Sequence, residues 1–132
     1  SVINQYNTVV QNYRMISNGK KVGWPQRKEI YGSAVIGMDK DNHVLFILSR
    51  SPFSTHDLIH ILLSLPIHIK SAIYVEGGPE ATLHIRTREK EMTFVGTCEA
   101  LPREHEAFKP LQRIPNVIGV VKRKGAANAG RD

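Results

Sequence analysis

Residues 33–48 read Ser-Ala-Val-Ile-Gly-Met-Asp-Lys-Asp-Asn-His-Val-Leu-Phe-Ile-Leu, two apolar runs about a short polar insert. Ser33 to Met38 has the length and apolar character of a strand. Asp39-Lys40-Asp41-Asn42 supplies residues whose side chains bond to their own backbone, which favours a tight turn. Val44 to Leu48 resumes as a second strand, so the stretch predicts a hairpin. Its unbroken run VLFIL predicts a strand buried on both faces.

A lone hairpin cannot bury its apolar face, so its partners are sought on either side. Upstream, Asn18-Gly19 separates Val9 to Ser17 from Lys20 to Trp24 and signals another hairpin. Pro25 to Tyr31 is a polar connection. Downstream, Ser54 precedes Asp57 by three positions, close to a capping box with Asp in the place of Glu. Leu58, Ile59, Ile61, Leu62, Leu63 and Leu65 continue as a helical run, and Pro66 stops it, which predicts a helix over about 54–65. Further strands are expected at Ser71 to Val75, Ala81 to Arg86, Thr93 to Gly96 and Val117 to Val121. Hairpins with one good helix predict an α+β fold, a mostly antiparallel β-sheet with that helix packed on a face. The expected core comprises Val35, Ile36, Leu45, Phe46, Ile47, Leu58, Leu62, Ile73, Val75, Leu83, Val117, Ile118 and Val120.

The chain has 132 residues, 41% of them hydrophobic, which suits one domain with one core. That domain is expected over 1–124, either whole or as the C-terminal part of a larger one. The stretch 125–132, GAANAGRD, has no apolar periodicity and is expected to be a disordered tail. No run approaches the roughly 18 apolar residues of a membrane span, and SVINQYNTVV lacks the pattern of a signal peptide. Cys98 is the only cysteine, which excludes an intrachain disulfide and a cysteine-based metal cluster. The formal charge is +6, but the basic residues are scattered and no aromatic-studded basic stripe accompanies them. Nucleic acid is therefore not an expected partner. A phosphate-bearing small substrate is the alternative use for that charge.

Residues 74–83, YVEGGPEATL, set a carboxylate and two glycines inside an otherwise strand-like run. Glycine within a strand costs about 0.5–1 kcal/mol relative to alanine, so the pair indicates a backbone demand. Two readings fit. Either the glycines make a bulge or turn with Glu76 in water, or Glu76 stands at a strand end where Gly77 and Gly78 let a ligand approach closely. Both place the carboxylate at a rim.

The succession Trp24, SAVIGMDKDNHVLFIL, a helix ending LLSLP, SAIYVEGGPEATLHI and IPNVIGVV resembles the phosphodiester glycosidase family. Bacterial, often exported members are the nearest in pattern, and the resemblance runs from about Gln11 to Val121. It implies a glycoside hydrolase that cleaves sugar-1-phosphodiester linkages, with an extracellular or cell-envelope location. The substrate implied is a sugar-phosphate small molecule or glycan. Glu76 matches the acidic position of the family's Asp-Gly-Gly or Glu-Gly-Gly motif, its extra methylene shifting the carboxylate by ~1.5 Å relative to Asp.

That chemistry needs a carboxylate for the developing positive charge at the anomeric carbon and cations for the phosphate. Arg14 and Arg50 are the candidate phosphate holders, against the plain reading of arginines lying over the sheet. Gly77, Gly78, Ser33 and Asn12 are candidate substrate contacts. His56 is a candidate acid or base if the helix start faces Glu76. His56 and His60 share a helix side, but the HxxxH spacing lacks the intervening glutamate of a zinc hydrolase and a third ligand. No metal site and no cofactor are expected: calcium suits rim carboxylates and backbone oxygens in type, but Asp39-Lys40-Asp41-Asn42 starts like an EF-hand loop and lacks the later glutamate. Family domains usually carry a further N-terminal portion with an Asn-Gly motif, which nothing before Gln11 resembles. The expectation is therefore either pairing with a missing N-terminal fragment or a homo-oligomer, or a compact minimal version of the domain. The alternative function is a non-catalytic carbohydrate or cell-envelope binding module, or a subunit completed by another chain.

Overall fold

The computed structural model describes residues 2–5, 9–97, 114 and 116–122. The hairpin expected at residues 33–48 is present and longer than its apolar runs: β3 spans Tyr31–Asp39 and β4 spans Val44–Phe53. They pair antiparallel with Ala34 opposite Leu48, Ile36 opposite Phe46 and Met38 opposite Val44. In the turn, Asp39 Oδ1 accepts bonds from the amides of Asp41 (2.8 Å) and His43 (2.9 Å). The His43 ring meets Asp39 Oδ2 at 2.9 Å, a bond that holds the Asp39 carboxyl below its ordinary value and the imidazole above its own.

Two further strands lie upstream, β1 (Arg14–Ser17) and β2 (Lys20–Lys21). The turn between them has Asn18 at φ 50° and Gly19 at φ 69°, the left-handed pair that a two-residue hairpin of this twist requires. After β4 comes the helix α1 (Thr55–Ser64), and then β5 (Ile69–Gly77). Helix α1 starts where Ser54 accepts a bond from the Asp57 amide at 3.1 Å and ends with Leu65 as its C-cap before Pro66. The five strands form one sheet in the order β2-β1-β5-β3-β4, antiparallel at every neighbouring pair. A separate hairpin of β6 (Thr82–Arg86) and β7 (Glu91–Val95) follows.

Helix α1 covers one face. Leu58, Ile59 and Leu62 pack with Met15, Ile16, Val35, Ile69 and Ala72 in a single buried cluster. Each such large side chain contributes about 1.5–3 kcal/mol relative to exposure. Met15 and Ile16 are consecutive, yet both are fully buried. The register between β1 and β5 shifts at this point, so the irregularity turns two neighbours inward where strict alternation would bury one.

The fold is the expected α+β arrangement, with these corrections. Strand β4 is not buried on both faces: Val44 is 56% exposed and Phe46 38%, because β4 is the edge strand and α1 covers only the other face. Strand β1 begins at Arg14 rather than Val9, and Val9 and Val10 are exposed. Val117 to Val121 forms no strand, and Val117, Ile118 and Val120 lie outside the core at 81%, 43% and 77% exposure. A β-forming run buries side chains only when a neighbouring strand takes up its backbone, and no described strand pairs with this one. The tail 125–132 lies outside the described residues.

Candidate functional site

Strand β5 carries Glu76 as its penultimate residue and Gly77 as its last. Gly78 follows at φ +72°, a conformation costly for a residue with a Cβ. Pro79, which has no amide to offer a ladder, then holds the chain in a 3-10 turn over Gly78–Glu80. The strand therefore stops at the glycines. Across the sheet, Tyr74 pairs with Val35, Glu76 with Ala34 and Gly77 with Ser33, with a register shift that leaves Val75 as the extra residue. Val35 belongs to the helix-covered core, so Glu76 leaves the sheet on the opposite face, beside Ala34.

Gly77 is required by close approach. A Cβ there would collide with the Tyr74 hydroxyl and come within 2.6 Å of the Tyr31 ring. Tyr31, Tyr74, Gly77 and Gly78 line an open hollow of about 320 Å³, at the lower limit of small-molecule sites. Tyr74 also packs on Trp24, ring centroids 5.8 Å apart, and Trp24 meets Tyr13 edge-on at 6.2 Å. The Tyr74 phenol is pushed above the usual range, first by burial, then by the Tyr31 phenol and the Glu76 charge. Glu76 directly precedes Gly77 and Gly78, the two glycines that line the hollow.

Glu76 itself is exposed and accepts one described hydrogen bond, from the adjacent Gly77 amide at 3.0 Å. Asn12 stands beside it, its side-chain amide donating to the Val75 carbonyl at 3.2 Å. Of the expected substrate contacts, Gly77, Gly78 and Asn12 therefore meet Glu76 at one strand end. Ser33 is fully buried opposite Gly77, and its hydroxyl has no hydrogen-bond partner among the described residues.

The two arginines are exposed. Arg14 lies opposite Ile73, on the strand next to Glu76 and on the same face. Its carbonyl accepts the Trp24 indole N–H at 2.7 Å, which fixes the backbone and leaves the guanidinium in solvent. Arg50 sits on β4, two strand spacings or about 10 Å from β5. Among the described residues, neither guanidinium comes within ion-pair distance of Glu76.

His56 belongs to a different group. Its Nδ1 meets Asp57 Oδ1 at 3.3 Å, and its ring stacks near His60, centroids 4.6 Å apart. Asp57 Oδ2 accepts bonds from the Ser54 hydroxyl at 2.8 Å and the Gln26 side-chain amide at 3.0 Å. The bond from Gln26, followed by those from Ser54 and His56, lowers the Asp57 carboxyl to about 2. Capping fully accounts for Ser54, and no described bond joins His56 to Glu76.

Asp39, Asp41 and His43 bring possible ligand atoms within 4.8 Å of one another, but Asp39 spends both oxygens on the turn itself. Tyr31 and Tyr74 are the site residues that sequence reading missed. Their convergence depends on register across β3 and β5, and the only advance signal is that both stand two or three residues from the Ser33–Val35 and Glu76–Gly77 positions.

Among the described residues no helix is long and apolar enough to cross a membrane. A family model described as phosphodiester glycosidase matches residues 1–121. No curated protein and no solved structure matches the chain.

Proposed function

The chain belongs to the phosphodiester glycosidase family, and from that premise we propose that it hydrolyses sugar-1-phosphodiester linkages with Glu76 as the key carboxylate. The bond broken joins the anomeric carbon to the phosphodiester oxygen. Water supplies the oxygen that replaces it, one proton going to the base and the departing phosphate monoester leaving as an anion. Such a leaving group needs little protonation, because its second pKa lies near about 6. Glu76 stabilises the positive charge that develops at the anomeric carbon, or activates the attacking water on one face of the ring. Arg14, on the same sheet face, and Arg50, across β3, are assigned to the phosphate, where their charge opposes the build-up on the leaving oxygens.

The observation that carries this reading is the state of Glu76: exposed, at a strand end opened by two glycines, and accepting a single bond among the described residues. The resemblance to bacterial, often exported members makes an extracellular or cell-envelope location our reading. Incubation with a sugar-1-phosphodiester, followed by an assay for newly freed reducing sugar, tests it. Wild-type chain is expected to turn over, and Glu76→Gln to lose about 10²–10⁴-fold in rate. Turnover that survives the substitution unchanged refutes the assignment of the carboxylate.

One observation favours a second reading. The guanidinium groups of Arg14 and Arg50 do not converge on Glu76 within the described residues. A carbohydrate or cell-envelope binding module, or a subunit completed by another chain, needs no such convergence. Saturable binding of a sugar phosphate with no release of reducing sugar would favour it.

A further inference from the structure

Helix α1 carries a second group of chemically capable side chains, on an element that the reading above does not use. His56 and His60 stand one turn apart, with ring centroids 4.6 Å apart and ring planes at 51°. Two imidazoles bound to one divalent ion have metal–nitrogen distances of about 2.0–2.1 Å, and each ring centre lies ~1.1 Å beyond its nitrogen. For bond angles between right-angled and tetrahedral, the two centroids then fall about 4.5–5.1 Å apart. The observed separation lies within that range before any ion is bound.

The surroundings of His56 supply the other half of the case. His56 Nδ1 faces Asp57 Oδ1 at 3.3 Å, and a carboxylate oxygen accepts, so this bond forms with the ring proton on Nδ1. The Nε2 lone pair is thereby left available. Metal-binding histidines are typically oriented by such a carboxylate on the remote nitrogen. Asp57 is itself fixed by Ser54 and Gln26. Both rings are open to solvent, the His56 side chain at 23% exposure and His60 more so.

We propose that His56 and His60 bind one divalent transition-metal ion as a two-nitrogen chelate, with Asp57 as the positioning residue and water completing the coordination shell. Nitrogen donors select nickel, copper or zinc over calcium and magnesium. Among the described residues no third protein ligand joins the pair, so the proposal is a binding site and not a hydrolytic zinc centre.

Calorimetric titration of the full chain, without an affinity tag, with Ni²⁺ alone in a non-coordinating buffer tests the assignment. One ion per chain is expected. His60→Ala and His56→Ala should each weaken binding at least about tenfold, and Asp57→Asn by about 10–100-fold through the orienting bond. His60 is exposed, so its replacement keeps the fold, which circular dichroism without the ion verifies. The melting temperature should rise with Ni²⁺ in wild-type chain and not in His60→Ala. His43→Ala, at the Asp39–Asp41–His43 turn, should leave the titration unchanged. Unaltered affinity in His60→Ala and His56→Ala, or loss of binding in His43→Ala, overturns the proposal.

Discussion

Two carboxylates, Asp57 at the start of α1 and Glu76 at the end of β5, spend their lone pairs differently. Asp57 accepts from the Ser54 hydroxyl, the Gln26 amide and the His56 ring, and these bonds bring its carboxyl down to about 2. Glu76 accepts one described bond, from the amide of its own neighbour. The first group is held in place by side chains from three positions and serves the helix. The second is held in place by backbone, with glycines on its C-terminal side, and retains acceptor sites for a ligand. Bond count separates structural from available acid more sharply than exposure does, since neither carboxylate is deeply buried.

The support of each group differs too, and substitutions should expose that difference. The Glu76 end rests on close backbone contacts. A Cβ at Gly32 would stand 2.6 Å from the Thr97 amide, 2.7 Å from the Gly96 Cα and 2.7 Å from the Ser49 carbonyl. All three are backbone atoms and none can rotate away. Gly32→Ala is therefore expected to cost the most, about 3 kcal/mol, read as a lower urea midpoint at unchanged slope. Gly77→Ala should cost about 1–2 kcal/mol, because the Tyr31 and Tyr74 rings that it meets are side chains that can shift. An effect of Gly32→Ala below that of Gly77→Ala would break the picture of a backbone-supported strand end.

The helix start should respond more gently. Ser54→Ala removes the cap to the Asp57 amide and is expected to cost about 1 kcal/mol, with Ser54→Asn recovering most of it. Loss of much more would mean that Ser54 also supports the neighbouring hollow, and the two regions would no longer be separable.

These contrasts also explain what could be read in advance. The helix over about 54–65 and its cap are local: Ser54, Asp57 and Pro66 lie within one short stretch and carry their meaning with them. Glu76 at a glycine-loosened strand end is local as well. The hollow is not, since Tyr31 and Tyr74 meet only through the register that sets Ser33 opposite Gly77. Met15 entered the core through an irregular pairing that no alternation pattern contains. VLFIL misled for the opposite reason, because five apolar residues say nothing of whether a strand is central or at the edge, and β4 is at the edge. The distances from Arg14 and Arg50 to Glu76 likewise depend on strand order, which spacing along the chain leaves open.

Titration offers a finer separation. The Asp57 carboxyl is lowered in the folded chain from 3.8 to about 2. A lowered carboxyl contributes stability that is full above its ordinary value and is lost as pH falls through the folded value. Between about pH 4 and pH 2, wild-type stability should therefore fall more steeply than that of Asp57→Asn, measured by urea midpoints at successive pH values. Equal slopes would mean that the bonds from Gln26 and Ser54 do not discriminate between the charged and neutral forms.

The smallest expected effect is the most discriminating. Glu76→Gln keeps the size and an acceptor oxygen, so the bond from the Gly77 amide persists, and the group is exposed in either form. Its cost in stability should lie within about 0.5 kcal/mol. A carboxylate used for support cannot be neutralised so cheaply, whereas one held available for a ligand can. If Glu76→Gln instead destabilises as much as Ser54→Ala, then Glu76 supports the strand end as Asp57 supports the helix, and the distinction between the two acids fails. If it is silent in stability while turnover of a sugar-1-phosphodiester disappears, the same substitution isolates the charge from the fold, which no change at Asp57 can do.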